Sequence, residues 1–148
     1  MTTLGIRKAK VSDAAAIAQL SGELGYPVDA EPMAERLTRF LGHAEQAVLV
    51  AETDRVIGWI HAADHEVLEH PLRCEIWGLV VAEGQRGLGV GRQLVNAVEQ
   101  WARHRGLTEI SVRSNVIRAE SHPFYERIGF NRYKTQHAYR KPLTLPGV

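Results

Sequence analysis

The chain has 148 residues, of which 45% are hydrophobic and 24% charged, and its formal net charge is +1. This size and composition predict one domain over residues 1–148, and the near-neutral charge argues against nucleic acid or an anionic membrane surface as partner. No apolar run approaches the roughly 20 residues of a membrane span, and no leader pattern is present, so we expect a cytoplasmic protein. The single cysteine, Cys74, excludes an internal disulfide and predicts a buried, apolar role.

The first part of the chain predicts a strand followed by two helices. Residues 4–10 alternate loosely and predict the first strand. Ser12-Asp13 predicts an N-cap for an alanine-rich helix over residues 14–20, which a cluster of glycine and proline ends. Glu31-Pro32 predicts the start of a second helix, because a proline in the first turn loses no hydrogen bond.

Strands and helices are also predicted in the middle and at the end of the chain. Two apolar runs, residues 47–52 and 56–61, flank three polar residues and predict a β-hairpin. The elements predicted beyond it are a polar loop over residues 65–73, a strand over 75–81, a glycine-rich turn, an amphipathic helix over 90–105, a strand over 109–112, a short helix ending near Gly129 and a last strand over 133–141. Together these elements predict one α/β domain with a mixed sheet.

The glycine-rich turn, residues 85–92, has the sequence Gln-Arg-Gly-Leu-Gly-Val-Gly-Arg. Glycines let the backbone approach a ligand closely, and the N-terminus of the following helix adds about half a positive charge, so the turn predicts an anion site. A P-loop needs Lys-Ser or Lys-Thr after its last glycine, where this chain has Arg92-Gln93. A dinucleotide site needs a different glycine spacing, near the N-terminus. The chain fits neither of these two patterns well.

Motifs on both sides of the turn match one family. Arg86-x-x-Gly89-x-Gly91 resembles the coenzyme A pyrophosphate loop of the GNAT acetyltransferase superfamily, and Leu79-Val80-Val81 lies where that family has its splayed fourth strand. Asn115, Phe124-Tyr125 and Gly129-Phe130 match its C-terminal motif. The likeness covers residues 75–130 and, more weakly, residues 4–61.

Three further segments look like a bacterial subgroup related to aminoglycoside 6′-N-acetyltransferases. They are Leu24-Gly25-Tyr26-Pro27, Gly58-Trp59-Ile60-His61 and Ser114-Asn115 with Arg118. The subgroup raises aminoglycosides as acceptors, but related folds acetylate polyamines, other small amines and peptide N-termini, so the sequence does not choose among them.

The resemblance implies a fold and a reaction. The fold is a mixed, mostly antiparallel central sheet of about six to seven strands flanked by about four helices, with a bulged and splayed fourth strand. The reaction is acetyl transfer from acetyl-CoA to the primary amine of a small, cationic acceptor by direct attack in a ternary complex, and a homodimer is also implied. Two alternatives stay open: a non-catalytic acyl-CoA-binding or interaction module of the same fold, and a protein or peptide N-acetyltransferase.

Most of the site residues that the resemblance implies would hold the cofactor. Backbone N–H groups of the glycine turn would bind the pyrophosphate with charge from two arginines, and backbone groups of the fourth strand would bind the pantetheine arm. The predicted cofactor-binding residues are Leu79, Val80, Val81, Arg86, Gly87, Leu88, Gly89, Val90, Gly91, Arg92, Asn115 and Tyr125.

Two residues are predicted to be catalytic. An alkylamine has a pKa of about 10.4, so deprotonating it near pH 7.4 costs about 4 kcal/mol and a base or a water relay is valuable. Glu75, at the start of the cofactor strand, is the first choice for that base, with His61 and Glu66 in reserve. By resemblance, Tyr125 lies beside the sulfur, where its hydroxyl donates a hydrogen bond to the leaving thiolate or transfers a proton to it.

The acceptor groove in this superfamily lies mainly between the first two helices. The loop between these two helices contains acidic residues, which favour a cationic amine as acceptor. Tyr26, Trp59 and Trp77 are predicted to contact the acceptor, although all three suit a core or a dimer interface equally well. The histidines of residues 61–70 lack the helical spacing of a metal site, so no metal is expected.

Overall fold

The computed structural model describes residues 3–23, 25–114, 121–144 and 146–147, with only the backbone at residues 121 and 122. Its residues form two compact units, 1–113 and 114–148. The first unit contains a five-stranded sheet in the order β1-β2-β3-β4-β5, antiparallel except for the parallel pair β4–β5. The second contains the last helix.

The described residues form the following helices and strands, in chain order. They are β1 (Gly5–Lys8), a 3₁₀ turn (Val11–Asp13), α1 (Ala14–Glu23), α2 (Ala30–Phe40), β2 (Gln46–Glu52), β3 (Val56–Val67), β4 (His70–Val81), α3 (Val90–His104), β5 (Ile110–Val112) and α4 (Ser121–Arg127). The mixed sheet, the four helices and the β2–β3 hairpin were predicted from the sequence and are confirmed.

The predicted polar loop over residues 65–73 is wrong. β3 and β4 continue into this segment and pair His65 with Arg73 and Val67 with His70, which leaves Leu68 and Glu69 as the turn. The segment is polar because it forms the exposed end of a long hairpin, so its composition reflects exposure and not the lack of a strand.

The predicted last strand over residues 133–141 is also wrong, and with it the count of six to seven strands. Every residue from 131 to 144 is exposed, and none belongs to a strand. Polar side chains stand at both odd and even positions of this segment, so neither face of a strand formed here would gain apolar burial by joining a sheet. The described part of the chain has five strands.

Each face of the sheet is covered by helices. On one face, Val48, Val50 and Trp59 pack with residues of α1 and α2, among them Ile17 and Leu37. On the other face α3 lies so close that a Cβ on Gly58 would meet Leu94 at 3.2 Å and Val90 at 3.4 Å. The buried residues of α3 follow the predicted helical spacing: Val90, Leu94, Val95, Val98 and Ala102.

A charged cluster fixes the entry to α1. Asp13, which was predicted as the N-cap of α1, is instead the last residue of the 3₁₀ turn. Its Oδ2 accepts a hydrogen bond from the Lys10 N–H at 2.7 Å. Arg7 donates to both carboxylate oxygens of Asp13, at 2.8 and 2.9 Å, and to both oxygens of Glu52 at 3.1 Å. The arginine therefore ties β1 to the turn and to the end of β2.

Candidate functional site

The fourth strand carries a β-bulge. Ile76 pairs with Ala62 and Gly78 pairs with His61, so Trp77 is an extra residue on β4 with no partner of its own in the β3–β4 register. A bulge of this kind bends its strand and increases the local twist. The bulged fourth strand expected from the sequence is confirmed.

Beyond the bulge, β4 leaves β5. β5 pairs only with Cys74, Glu75 and Ile76, whereas β4 continues to Val81. In the described residues, the last five positions of β4 therefore have a partner strand on one side only, which is the splayed arrangement expected for a strand that binds a ligand through its backbone.

The alternation of the β3–β4 ladder determines which backbone groups are on the open side. The N–H of Ala82 donates to the carbonyl of Ile57 at 2.8 Å, so the alternate residue Val80 also directs its N–H and C=O towards β3. Leu79 and Val81 direct theirs to the opposite side, where the Val81 carbonyl accepts a hydrogen bond from Arg86 Nε at 3.3 Å. The structure thus brings Leu79 and Val81, but not Val80, to the open edge.

The glycine turn has the backbone of an anion-binding loop. Gly84, Gly87 and Gly89 have φ values of 82–84°, which favour glycine, and no described atom other than those of their chain neighbours lies within 4 Å of where their Cβ atoms would be. Gly89 is the N-cap of α3 and supplies no side-chain hydrogen bond to the first helical N–H groups. These N–H groups fit an anion such as a pyrophosphate.

The side chains of the turn have different surroundings. Arg86 and Arg92 are exposed and flank the loop, as a phosphate contact requires. Leu88 is 68% exposed, whereas Val90 is buried in the core. The predicted contribution of Val90 is therefore limited to its backbone N–H, and Gly91 continues the first turn of α3.

Glu75 is buried, with 1% of its surface exposed, and its two oxygens have different partners. Ser111, its partner across β4–β5, donates to Oε1 at 2.9 Å, and Arg73 Nη2 lies 3.6 Å from the same oxygen. Arg113 Nε lies 3.8 Å from Oε2, which accepts no hydrogen bond from any described residue. The side chain is therefore fixed through one oxygen while the other keeps its accepting capacity.

The two reserve residues lie at different distances from Glu75. His61 is on the same sheet face, because Ala63 pairs with Glu75 and His61 is two residues away on β3. Burial lowers the pKa of His61, whose Nε2 lies 2.6 Å from Gln46 Oε1 and whose ring stacks on Phe40. Glu66 is exposed and lies three residues beyond Ala63, the partner of Glu75, which is about 10 Å along the strand, so it is not part of this cluster.

The three aromatic residues predicted to contact the acceptor have different environments. Trp59 packs against the core cluster and over Gly78, with its Nε1 buried and without a hydrogen-bond partner among the described residues. Trp77 is 46% exposed, lies edge-on to His65 at 5.4 Å and has the Arg113 guanidinium 5.7 Å from its ring centroid. Tyr26 is 56% exposed after α1. Trp59 therefore has a core role, whereas Trp77 and Tyr26 remain accessible.

Tyr125 lies in α4, in the unit of residues 114–148. Its ring makes edge contacts with Phe124 at 5.2 Å and with Phe130 at 5.6 Å. Asn115, the other predicted residue of the C-terminal motif, lies outside the described residues.

Sequence reasoning did not identify Arg73, Ser111 and Arg113 as neighbours of Glu75. Arg73 is two residues from Glu75 and so on the same face of β4, a signal that strand alternation already contains. Ser111 and Arg113 are equally spaced on β5, but placing them beside Glu75 needs the parallel register, which no local pattern supplies. Across the described ranges, no three His, Cys, Asp or Glu side chains are arranged to hold a metal ion, and no helix is long and apolar enough to cross a membrane.

Comparison with known proteins gives one family. A model of the Acetyltransferase (GNAT) family matches residues 14–130. The chain is 33% identical over 144 residues to the aminoglycoside N(6')-acetyltransferase type 1 of Stenotrophomonas maltophilia, covering 93% of each protein. It is 30% identical over 111 residues to N-alpha-acetyltransferase 30 of Schizosaccharomyces pombe, covering 74% of each.

Solved structures share the fold at lower identity. The aminoglycoside N-acetyltransferase AAC(6')-Iy in complex with CoA superposes with a TM-score of 0.86 at 20% identity, over 97% of each chain. A transcriptional regulator from Bacillus halodurans C-125 superposes with a TM-score of 0.83 at 19% identity, over 94% of this chain and 100% of that one. Since both identities are low, these likenesses fix the fold alone.

Proposed function

Because the chain belongs to the GNAT acetyltransferase family, whose N-acetyltransferases use acetyl-CoA, we propose that it acetylates the primary amine of a small cationic acceptor by direct attack in a ternary complex. The observation that carries this proposal is the open edge of β4 beside an uncapped, glycine-rich helix N-terminus. An open strand edge that is followed by an anion-binding turn suits a cofactor that has both an amide-containing arm and a pyrophosphate.

The proposed donor site has two parts. The N–H groups of residues 87–91, with Arg86 and Arg92, bind the pyrophosphate, and the outward backbone groups of Leu79 and Val81 bind the pantetheine arm. Asn115 is proposed to add a polar contact to the cofactor. When bound, acetyl-CoA supplies the thioester carbonyl carbon that the acceptor amine attacks. The N–H groups on the open edge of β4 then polarise the carbonyl oxygen by hydrogen bonding.

Glu75 is the proposed acceptor of the amine proton, either directly or through one water. Its Oε2 is the oxygen that accepts no hydrogen bond from the described residues, so it has the capacity to receive that proton. The proton moves from the ammonium nitrogen to Oε2 and leaves the nitrogen lone pair free for attack. Ser111 and Arg73 hold Oε1 throughout and so keep the carboxylate oriented.

Tyr125 is the proposed hydrogen-bond donor to the leaving thiolate. A phenol near pKa 10 is a weaker acid than a thiol near 8.5, a difference of about 2 kcal/mol, so hydrogen bonding requires less of the site than full proton transfer does. The edge packing of Tyr125 on Phe124 and Phe130 restricts the ring and thereby orients its hydroxyl.

The acceptor proposed first is an aminoglycoside, since the S. maltophilia relative has that name and aligns over nearly the whole chain. Two acidic residues at the start of α2, the N-cap Asp29 and Glu31 in the first turn, add attraction for a polycation. The S. pombe relative favours a second candidate, an α-amino group of a protein or peptide. A homodimer is proposed from the family resemblance.

The test is thiol release from acetyl-CoA with kanamycin, spermidine, free amino acids and short peptides, beside calorimetric titration of acetyl-CoA alone. Aminoglycoside turnover supports the proposal, and turnover restricted to peptides supports the second candidate. Binding of acetyl-CoA without turnover of any amine would instead identify a non-catalytic acyl-CoA module.

Tyr125→Phe tests the proposed chemistry. We expect kcat to fall at least about tenfold, and by more than the affinity for acetyl-CoA falls, because the hydroxyl that is removed acts mainly on the departing sulfur. Tyr139→Phe is the matched control, since Tyr139 is 91% exposed in the same unit. An equal kcat for Tyr125→Phe and the parent protein removes Tyr125 from the mechanism.

A further inference from the structure

The two oxygens of Glu75 have partners that differ in their exposure to solvent. Oε1 is held by Ser111, which is 7% exposed, and by Arg73, whose side chain is 11% exposed. Oε2 faces Arg113, whose side chain is 61% exposed and makes an ion pair at 3.8 Å without a hydrogen bond. The first set of contacts is part of the interior, whereas the second comes from a side chain that is mostly exposed to solvent.

Arg113 also contacts Trp77. Its guanidinium carbon lies 5.7 Å from the centroid of the Trp77 ring, within the range of a cation–π interaction. One cation thus satisfies two features at once, a buried carboxylate oxygen and the face of a half-exposed indole. These features bind a primary ammonium as well as a guanidinium, and an ammonium is small enough to hydrogen-bond Oε2 directly.

We propose that Glu75 Oε2 and the Trp77 ring form the subsite for the acceptor's ammonium group, and that Arg113 occupies this subsite in the free protein until the acceptor displaces it. The inference rests on the proposed function, because it specifies where that acceptor binds. It also explains how a carboxylate that is 1% exposed becomes accessible: the exposed arginine beside Oε2 moves aside. Arg113 is accordingly a specificity-determining residue that competes with cationic acceptors.

The competition predicts a gain in affinity when the internal cation is removed. Arg113→Met keeps the apolar stem without the charge, and we expect it to tighten spermidine and kanamycin binding about three- to tenfold, the range of one exposed cation–π contact and one exposed ion pair. Arg113→Lys keeps an occupying cation, so its affinities stay close to those of the parent. Trp77→Leu weakens binding of both probes in the Arg113→Met background as well as in the parent.

Calorimetric binding of spermidine and kanamycin without acetyl-CoA tests the subsite independently of turnover. Arg103→Met is the control for net charge, because Arg103 is equally exposed, at 63%, and lies on α3 paired with Glu99. Tighter binding with Arg113→Met but not with Arg103→Met supports the proposal. Equal effects of the two variants overturn it, and so does the absence of binding of either probe to the Arg113→Met protein, in which Oε2 is open.

Kinetics separate this inference from the proposed function. If the protein acetylates cationic amines, Arg113→Met lowers their KM and leaves the KM for acetyl-CoA unchanged. Turnover with an unchanged acceptor KM keeps the acetyltransferase function and rejects the subsite. Tighter probe binding without any turnover keeps the subsite and rejects the function.

Discussion

Gly78 lies directly after the bulge and under the ring of Trp59, and replacing it with alanine tests how tightly this part of β4 is packed. A Cβ there would lie 2.7 Å from Cη2 and 2.8 Å from Cζ3 of Trp59, whereas ordinary contacts begin near 3.4 Å. The φ of Gly78 lies outside the left-handed region, so the backbone accepts alanine and the cost is steric. The ring has to move by roughly 0.7 Å against the core cluster that surrounds it.

The expected cost of Gly78→Ala is about 1–3 kcal/mol of unfolding free energy, the range for an extra methyl group in a packed core. For a chain of this length the melting temperature falls by about 2–12 °C. Urea unfolding followed by circular dichroism measures the free energy. Gly22→Ala is the control: Gly22 is an exposed residue of α1 with nothing within 4 Å of its Cβ position, so alanine there raises stability by about 0.5–1 kcal/mol.

A double-mutant cycle with Trp59→Leu identifies the clashing atoms. Leucine lacks the two ring atoms that the new Cβ would meet, so Gly78→Ala costs much less in that background, with a coupling of about 1–2 kcal/mol. The same cost in both backgrounds refutes the steric explanation. A neutral Gly78→Ala in the parent protein refutes the packing itself.

Two further predictions concern the titratable groups of Asp13 and Cys74. Hydrogen bonds from Arg7 lower the pKa of Asp13, so the pair stabilises the fold fully above the ordinary carboxyl pKa near 3.8 and loses that stabilisation as the pH falls further. Asp13→Asn should therefore cost about 1–3 kcal/mol at pH 7 and much less near pH 2 by urea unfolding, and an equal cost at both pH values contradicts the assignment. Burial raises the pKa of the Cys74 thiol to about 12, so Ellman's reagent at pH 8 should label Cys74 only after unfolding. Labelling of the native protein within minutes would show that β4 is open at this position.

Features encoded by a few neighbouring residues were predictable from the sequence. The glycine turn and the buried spacing of α3 are local, because left-handed φ values at Gly87 and Gly89 and a helical stripe need no distant partner. The β2–β3 hairpin is also local, because its two strands follow one another in the chain and are joined by a short turn. Recognition of the family then added the bulge, which the β3–β4 register confirms at Trp77.

Features that depend on strand register were missed. Arg113 and Ser111 meet Glu75 only because β5 pairs with β4 in parallel, and that pairing joins segments more than 30 residues apart. The exposed end of the β3–β4 hairpin looked like a loop because its side chains are polar. The segment over residues 133–141 was predicted as a strand, but every residue of it is exposed, so it buries neither face.

On β4, the proposed donor site uses backbone groups, whereas the proposed acceptor site uses a side chain. Leu79 and Val81 offer backbone groups to the proposed donor site, while cross-strand pairing with Ile60 and Gly58 directs their side chains to the face covered by α3. An apolar residue of similar volume at either position keeps both the backbone groups and the packing against α3. In the proposed subsite Trp77, by contrast, contacts the acceptor through its side chain. Sequence drift on one strand can therefore change what is acetylated while leaving the acetyl source the same.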